Sequence, residues 1–232
     1  MMQPPEFNPD YLNTNVELPY GLTQDHVEYA IKAVYEYYHA ANQWHIQEGY
    51  GRFCDQFRAN NAIGDFLGHR LTAELVNACD SIKRNLRDDG RPDILPIEHP
   101  ADYVKDKSVP GIEVKFSQKT GFDSHNAVDG WVLFTRYEVH HPRHEIDEDE
   151  APINIKQMLC ATTDPDEYTD HPSGPDSDRT NTANPKATAM HRLRSNPVYE
   201  QPDAITCHPE YSDWKEEYRE RHLDFNPDYS LE

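Results

Sequence analysis

The chain has 232 residues, 36% of them hydrophobic, and its 42 acidic and 22 basic side chains give a formal net charge of −20. That length suffices for one domain with peripheral additions. The absence of a long apolar run argues against a secretory signal and a membrane span. The four cysteines form no CxxC pair, which argues against a cysteine zinc site and predicts a reducing, cytoplasmic environment. Nucleic-acid-binding proteins usually carry a basic surface, so the overall charge alone argues against that class.

The order of apolar and polar segments predicts an α/β chain in three parts. Residues 1–22, which are rich in proline, form an irregular arm. Residues 23–162 contain a helical lead-in and a core, and residues 163–232 form a loop-rich extension that packs on this core.

Two helices are predicted before the first strand. Thr23 is a suitable N-cap for an amphipathic helix over residues 23–48. A second helix is predicted over residues 62–84, because apolar residues recur there at spacings of three and four. Its stripe consists of Leu67, Leu71, Leu75, Ala78 and Ile82.

Strands are predicted next. Residues 112–117 alternate between apolar and polar side chains, and apolar segments follow at 131–139 and 153–161. Residues 163–186, rich in Asp, Pro, Ser, Thr and Asn, predict a long surface loop or a partly disordered segment. Residues 188–194 are the most basic part of the extension and predict either a phosphate contact or, preferably, a short helix with a solvated face.

The segment Gly111-Ile112-Glu113-Val114-Lys115-Phe116 carries the most informative pattern. Because a strand has a side-chain period of two, Glu113 and Lys115 share one face while the apolar residues enter the core. Asp93, in Gly90-Arg91-Pro92-Asp93-Ile94, is expected on the neighbouring strand of the same hairpin. Two carboxylates and a lysine at one place can hold Mg²⁺ and stabilise charge that develops on a phosphate.

This arrangement resembles the PD-(D/E)xK nuclease superfamily, which includes type II restriction endonucleases and Holliday-junction resolvases. The resemblance covers about residues 60–140. It implies a restriction-endonuclease-like α/β core, with a mixed central sheet flanked by helices. A second acidic-x-Lys triplet, at residues 213–215, lies in a charge-rich segment that predicts a Ser-capped helix instead of a strand.

The resemblance also assigns roles. Asp93 and Glu113 are the expected ligands of Mg²⁺, for which Mn²⁺ can substitute, and Lys115 is the charge stabiliser or the residue that orients water. Superfamily members often carry a glutamate on the preceding helix, and Glu74 matches it in order and spacing as an auxiliary ligand. The alternative is a solvated glutamate beside the apolar stripe. Arg70, one turn earlier, either pairs with Glu74 or contacts a phosphate.

Further candidate substrate contacts follow the strand. Gln118 lies where some superfamily members carry a glutamine. His125 and Asn126 belong to a polar connection that the fold would place near the metal edge, although such residues more often form turns.

The implied function is a Mg²⁺-dependent endonuclease that hydrolyses DNA phosphodiester bonds, in a restriction or mobile-element setting. DNA is the expected partner, a homodimer is an allowed assembly, and no membrane association is expected. The charge of −20 has two explanations: an acidic binding or structural protein that retains a nuclease-like fold, or a cytoplasm of high salt concentration. The acidic residues are spread over all segments and are not gathered in one tail, which favours the halophilic explanation. At 1 M salt the Debye length is only about 3 Å, so a distributed surface charge repels DNA little.

Overall fold

A computed structural model describes residues 5–57, 60–87, 90–105, 109–124, 127–139, 153–171 and 182–204. In these residues the chain forms two N-terminal helices, a six-stranded mixed sheet, a separate two-stranded ribbon and one C-terminal helix. The helices are α1 Gln24–Gln47, α2 Asn60–Ala78 and α3 Ala187–Arg194. The strands are β1 Ile82–Arg84, β2 Ile94–Pro96, β3 Ile112–Ser117, β4 Gly130–Val139, β5 Ile153–Thr163, β6 Tyr168–His171, β7 Thr182–Pro185 and β8 Pro197–Glu200.

The main sheet has the order β1-β2-β3-β4-β5-β8, and β6 pairs with β7 in the ribbon. Among the described strands only β3 and β4 are parallel; the other pairs in the sheet are antiparallel. A parallel pair needs a crossover connection, and residues 118–129 provide it here. The polar connection after the Glu113–Lys115 strand therefore carries the chain from one end of the sheet to the other.

The sheet is covered differently on its two faces. Helices α1 and α2 pack on one face, where Ile112, Val114 and Phe116 of β3 join the larger apolar core. Helix α3 and the β6–β7 ribbon cover the other face with a smaller core, which includes Val132 and Phe134 of β4. Since Glu113 pairs with Val132 and Lys115 with Phe134 in the parallel register, both charged side chains belong to this second face.

Helix α1 confirms the first predicted helix nearly to the residue. Thr23 is its N-cap: the Thr23 side chain accepts a hydrogen bond from the backbone N–H of His26 at 3.4 Å. The predicted second helix was too long, because α2 ends at Ala78 and Ile82 lies in strand β1. Ile82 is β-branched, which suits a strand, and it pairs with Pro96 of β2. Its side chain is still buried in the core, but from a strand that follows a turn and not from the helix.

The predicted strands at 112–117, 131–139 and 153–161 are confirmed as β3, β4 and β5. The predicted loop over residues 163–186 was wrong in part, because the ribbon strands β6 and β7 lie within it and enclose the second core. The basic segment does form a short helix, α3, but its face is not simply solvated. Arg192 pairs with Asp164 and Glu167 at 3.2 and 2.9 Å. In the described part of the chain, no helix is both long and apolar enough to cross a membrane.

Candidate active site

Asp93 directly precedes β2 and lies opposite Glu113. Ile94 of β2 pairs with Ile112 of β3 in an antiparallel register, which places residue 93 across from residue 113. Side chains that are opposite each other in such a pair have Cβ atoms about 5 Å apart. The hairpin therefore brings Asp93, Glu113 and Lys115 together, as the sequence predicts.

Hydrogen bonds hold the three side chains in place. The Asp93 carboxylate accepts a hydrogen bond from the backbone N–H of Val114, with Oδ2 at 2.7 Å from the nitrogen. Lys115 Nζ donates to Glu113 Oε1 at 2.6 Å. The Lys115 and Glu113 side chains are only 15% and 6% exposed, so their charges interact through a poorly screened environment.

This environment raises the pKa of Asp93 to about 7. Burial is the largest cause, and the negative charge of Glu113 adds to it. The positive charge of Lys115, the hydrogen bond from the Val114 amide and the charge of Arg91 act in the opposite direction. Asp93 and Glu113 cannot both lose their protons easily in this environment. A divalent cation would replace the proton that the pair retains, so these residues fit Mg²⁺.

A buried asparagine, Asn85, fixes the loop that carries Asp93. The Asn85 Nδ2 donates to the carbonyl oxygens of Pro92 at 2.9 Å and Val104 at 2.8 Å. Its Oδ1 accepts from the backbone N–H groups of Val104 and Arg87 at 3.1 and 3.2 Å. In addition, the Asn85 backbone N–H donates to the Asp93 carbonyl oxygen at 2.9 Å. The sequence does not point to this residue, because its hydrogen-bond partners are distant along the chain, up to Val104, and no local motif marks it.

Gly111 lets β3 approach the Asp93 loop. A Cβ atom at this position would overlap Pro92 and the carbonyl oxygen of Ile94. The glycine that precedes the alternating strand therefore has a packing reason, which is the close contact between the two halves of the hairpin.

A small cavity of about 20 Å³ adjoins Glu113, which is enough room for a water molecule. Charged groups in its lining come from Arg91, Glu113 and Asp129. Arg91 and Asp129 were not among the predicted site residues. Arg91 was detectable, because it lies in the same five-residue segment as Asp93, whereas Asp129 reaches the site only through the parallel pairing of β3 and β4.

Glu74 does not join the other carboxylates. Its side chain is 5% exposed and forms an ion pair with Arg70, and Asn77 Nδ2 donates to its Oε2 at 3.5 Å. Arg70 in turn lies over the ring of Tyr37 of α1, with its guanidinium carbon 4.2 Å from the ring centroid. Of the two readings of Arg70, the structure shows the pair with Glu74. The picture of a solvated Glu74 was wrong, because this glutamate is buried.

Among the described residues, no group of three or more His, Cys, Asp and Glu side chains is arranged to hold a metal ion. The carboxylates that the hairpin brings together are thus the pair Asp93 and Glu113. Gln118 follows the end of β3 and hydrogen-bonds Tyr137, a residue of the core beneath α1 and α2. His125 and Asn126 lie outside the described residues.

A much larger cavity, of about 730 Å³, opens beyond the end of β3. It begins at Phe116 and Ser117 and extends between residues 119–124, strand β7 and helix α3. Ser117 is two residues after Lys115, so it lies on the same face of β3 and about 7 Å further along the strand.

No family model matches the chain, and neither a curated protein nor a solved structure matches it.

Proposed function

We propose that the protein is a Mg²⁺-dependent nuclease that hydrolyses DNA phosphodiester bonds, with a restriction-endonuclease-like core. One observation carries the proposal: a hairpin places the Asp93 carboxyl opposite Glu113, while Lys115 binds Glu113 through a hydrogen bond of 2.6 Å. The order of helix, hairpin and following strand agrees with that class of enzyme, and so does the mixed sheet.

In this proposal Asp93 and Glu113 hold the ion through their carboxylate oxygens. When bound, Mg²⁺ would lower the pKa of a coordinated water and neutralise charge on the scissile phosphate. The Val114 amide keeps the Asp93 carboxylate pointed toward Glu113 by donating to Oδ2. This orientation exists before any ligand arrives, which reduces the reorganisation that binding requires.

Lys115 has two roles that its position supports. Without a divalent ion it compensates the charge of Glu113, a buried carboxylate that would otherwise be costly. With substrate bound, its ammonium group would stabilise the negative charge that grows on the phosphate oxygens. Its low exposure keeps solvent from screening this interaction.

The direct experiment is cleavage of supercoiled plasmid with Mg²⁺, Mn²⁺, Ca²⁺ or EDTA, at low and high KCl concentration. We expect cleavage with Mg²⁺ and Mn²⁺, and none in EDTA. Ca²⁺ should support binding but little turnover, because it accepts looser coordination geometry. Undiminished cleavage in EDTA would contradict the metal mechanism.

The variants Asp93→Asn, Glu113→Gln and Lys115→Met test the assignment. The first two should lose cleavage together with Mg²⁺ binding, whereas the third should bind Mg²⁺ and lose cleavage. Glu138 and Lys156 provide a matched control, because they form another Glu–Lys ion pair, at 3.5 Å, on strands β4 and β5. The variants Glu138→Gln and Lys156→Met should cut normally, and normal cutting by Lys115→Met would overturn the assignment.

A further inference from the structure

We propose that the cavity of about 730 Å³ beyond β3 binds one nucleotide that has left the base stack, next to the scissile phosphate. This inference rests on the proposed nuclease function. It specifies the substrate: DNA in which a nucleotide at the cleavage site is unpaired or can be extruded.

The location of the cavity is the first argument. Glu113, Lys115 and Ser117 follow one another on the same face of β3, and Ser117 forms part of the cavity wall. A phosphate held at Asp93 and Glu113 would lie about 13 Å from Ser117 along the strand, a span that the adjacent nucleotide with its base can cover. The size agrees as well, since pockets for small molecules usually have volumes of about 300–1,000 Å³.

The chemistry of the walls is the second argument. Phe116, Phe122 and Met190 provide an apolar surface on which a base can pack. Lys119 and Arg194 supply positive charge, while the acidic residues of the wall are Asp65 and Asp123. Apolar packing with a few convergent polar groups is the usual composition of a binding pocket.

Two buried polar atoms in the wall provide the third argument. Ser124 Oγ and Asn184 Oδ1 have no hydrogen-bond partner among the described residues. Ser124 is only 2% exposed, and its backbone is fixed by two hydrogen bonds with Ala183 of β7, at 2.9 and 2.6 Å. An unsatisfied buried polar atom costs about 1–3 kcal/mol, so a ligand that bonds to it gains affinity. The polar edge of a nucleobase offers both donors and acceptors for this pair.

The test is a titration of the protein with each of the four deoxynucleoside 5′-monophosphates, in EDTA and at high KCl concentration. Binding is monitored through the NMR chemical shifts of the protein. In EDTA the titration measures nucleotide binding without bound Mg²⁺ and without turnover. At least one nucleotide should bind with a Kd of about 1 mM, in the range of weak small-molecule binding. No binding of any of the four at about 10 mM would overturn the proposal.

Variants connect the binding to the cavity. Ala187 is an exposed residue at the start of α3 that contributes to the wall, so Ala187→Phe should fill the entrance without disturbing the core. It should weaken nucleotide binding at least tenfold, as should the double variant Ser124→Ala/Asn184→Leu. Thr162→Val, an exposed change on β5 outside the cavity wall, is the control and should bind normally.

The outcomes separate this inference from the proposed function. Normal nucleotide binding by Ala187→Phe, with an unchanged melting curve, would overturn the cavity as the binding site. Nucleotide binding without any DNA cleavage would overturn the nuclease and leave a nucleotide site. Cleavage of a perfectly paired duplex at the same rate as the same duplex with one unpaired nucleotide would leave the nuclease and overturn the substrate preference.

Discussion

Replacing Asp93 with Asn should change how stability depends on pH. Asn has nearly the same size and can still accept the hydrogen bond from the Val114 amide, but it cannot ionise. The raised pKa of about 7 means that the folded protein binds more protons at Asp93 than the unfolded chain does. This difference exists between pH of about 4 and pH of about 7.

The sign and the size follow from that difference. Since the folded state holds the extra proton, the free energy of unfolding falls as pH rises through this window and is constant above it. The full loss is at most about 4 kcal/mol, and between pH 5 and pH 8 it is about 3 kcal/mol. Asp93→Asn removes this loss. Wild-type protein should therefore lose about 3 kcal/mol more than the variant over that range.

The assay is urea unfolding, monitored by circular dichroism, at pH 5 and pH 8, in EDTA and at constant KCl concentration. The exposed Asp80 provides the control, and Asp80→Asn should behave as the wild type does. Glu113→Gln should show a smaller pH-dependent loss than wild type, because it removes the negative charge that opposes ionisation of Asp93. Parallel losses by wild type and Asp93→Asn would refute the reasoning.

Three further predictions concern the hairpin and the charge. Asn85→Ala should lower the free energy of unfolding by about 3 kcal/mol in urea titrations, because the bonds to Pro92 and Val104 are lost and buried partners stay unsatisfied; a loss below about 0.5 kcal/mol would contradict this. Gly111→Ala should cost about 3 kcal/mol in the same assay, since its Cβ overlaps Pro92 and Ile94, whereas Gly121→Ala has open space and should cost little. Folding and cleavage should persist or improve above about 1 M KCl, because salt screens the repulsion among excess carboxylates. Full stability at low salt with cleavage abolished at about 1 M would contradict adaptation to high salt, because DNA affinity ordinarily falls as salt concentration rises.

The candidate site shows how far local patterns reach. The alternation of residues 112–117 sufficed to predict that Glu113 and Lys115 share a face, because a strand allows only two directions for a side chain. The same pattern, with Pro92-Asp93 before it, predicted the hairpin partner. Glu74 was less accessible to this reasoning, because its spacing on α2 fixes its direction around the helix but not which neighbour meets it. The pair with Arg70 was one of the two options that the sequence offered, and the structure shows that Glu74 forms it and is buried.

The boundaries failed where tertiary contacts override a periodic pattern. Ile82 fits the helical stripe of α2 and equally fits the first strand, and pairing with Pro96 selects the strand. Likewise, a segment rich in Asp, Pro and Ser predicts a loop, although β6 and β7 find their hydrogen-bond partners in each other and pack on the second core.

The sequence by itself determined the helix over α1, the three central strands and the shared face of Glu113 and Lys115, because each of these depends on side-chain periods of two or 3.6 residues. Only the tertiary structure decided that β3 and β4 are parallel, that Asn85 fixes the Asp93 loop, and that a large cavity opens beyond Ser117. These features depend on contacts between residues that are distant along the chain, and such contacts leave no periodic trace in the sequence.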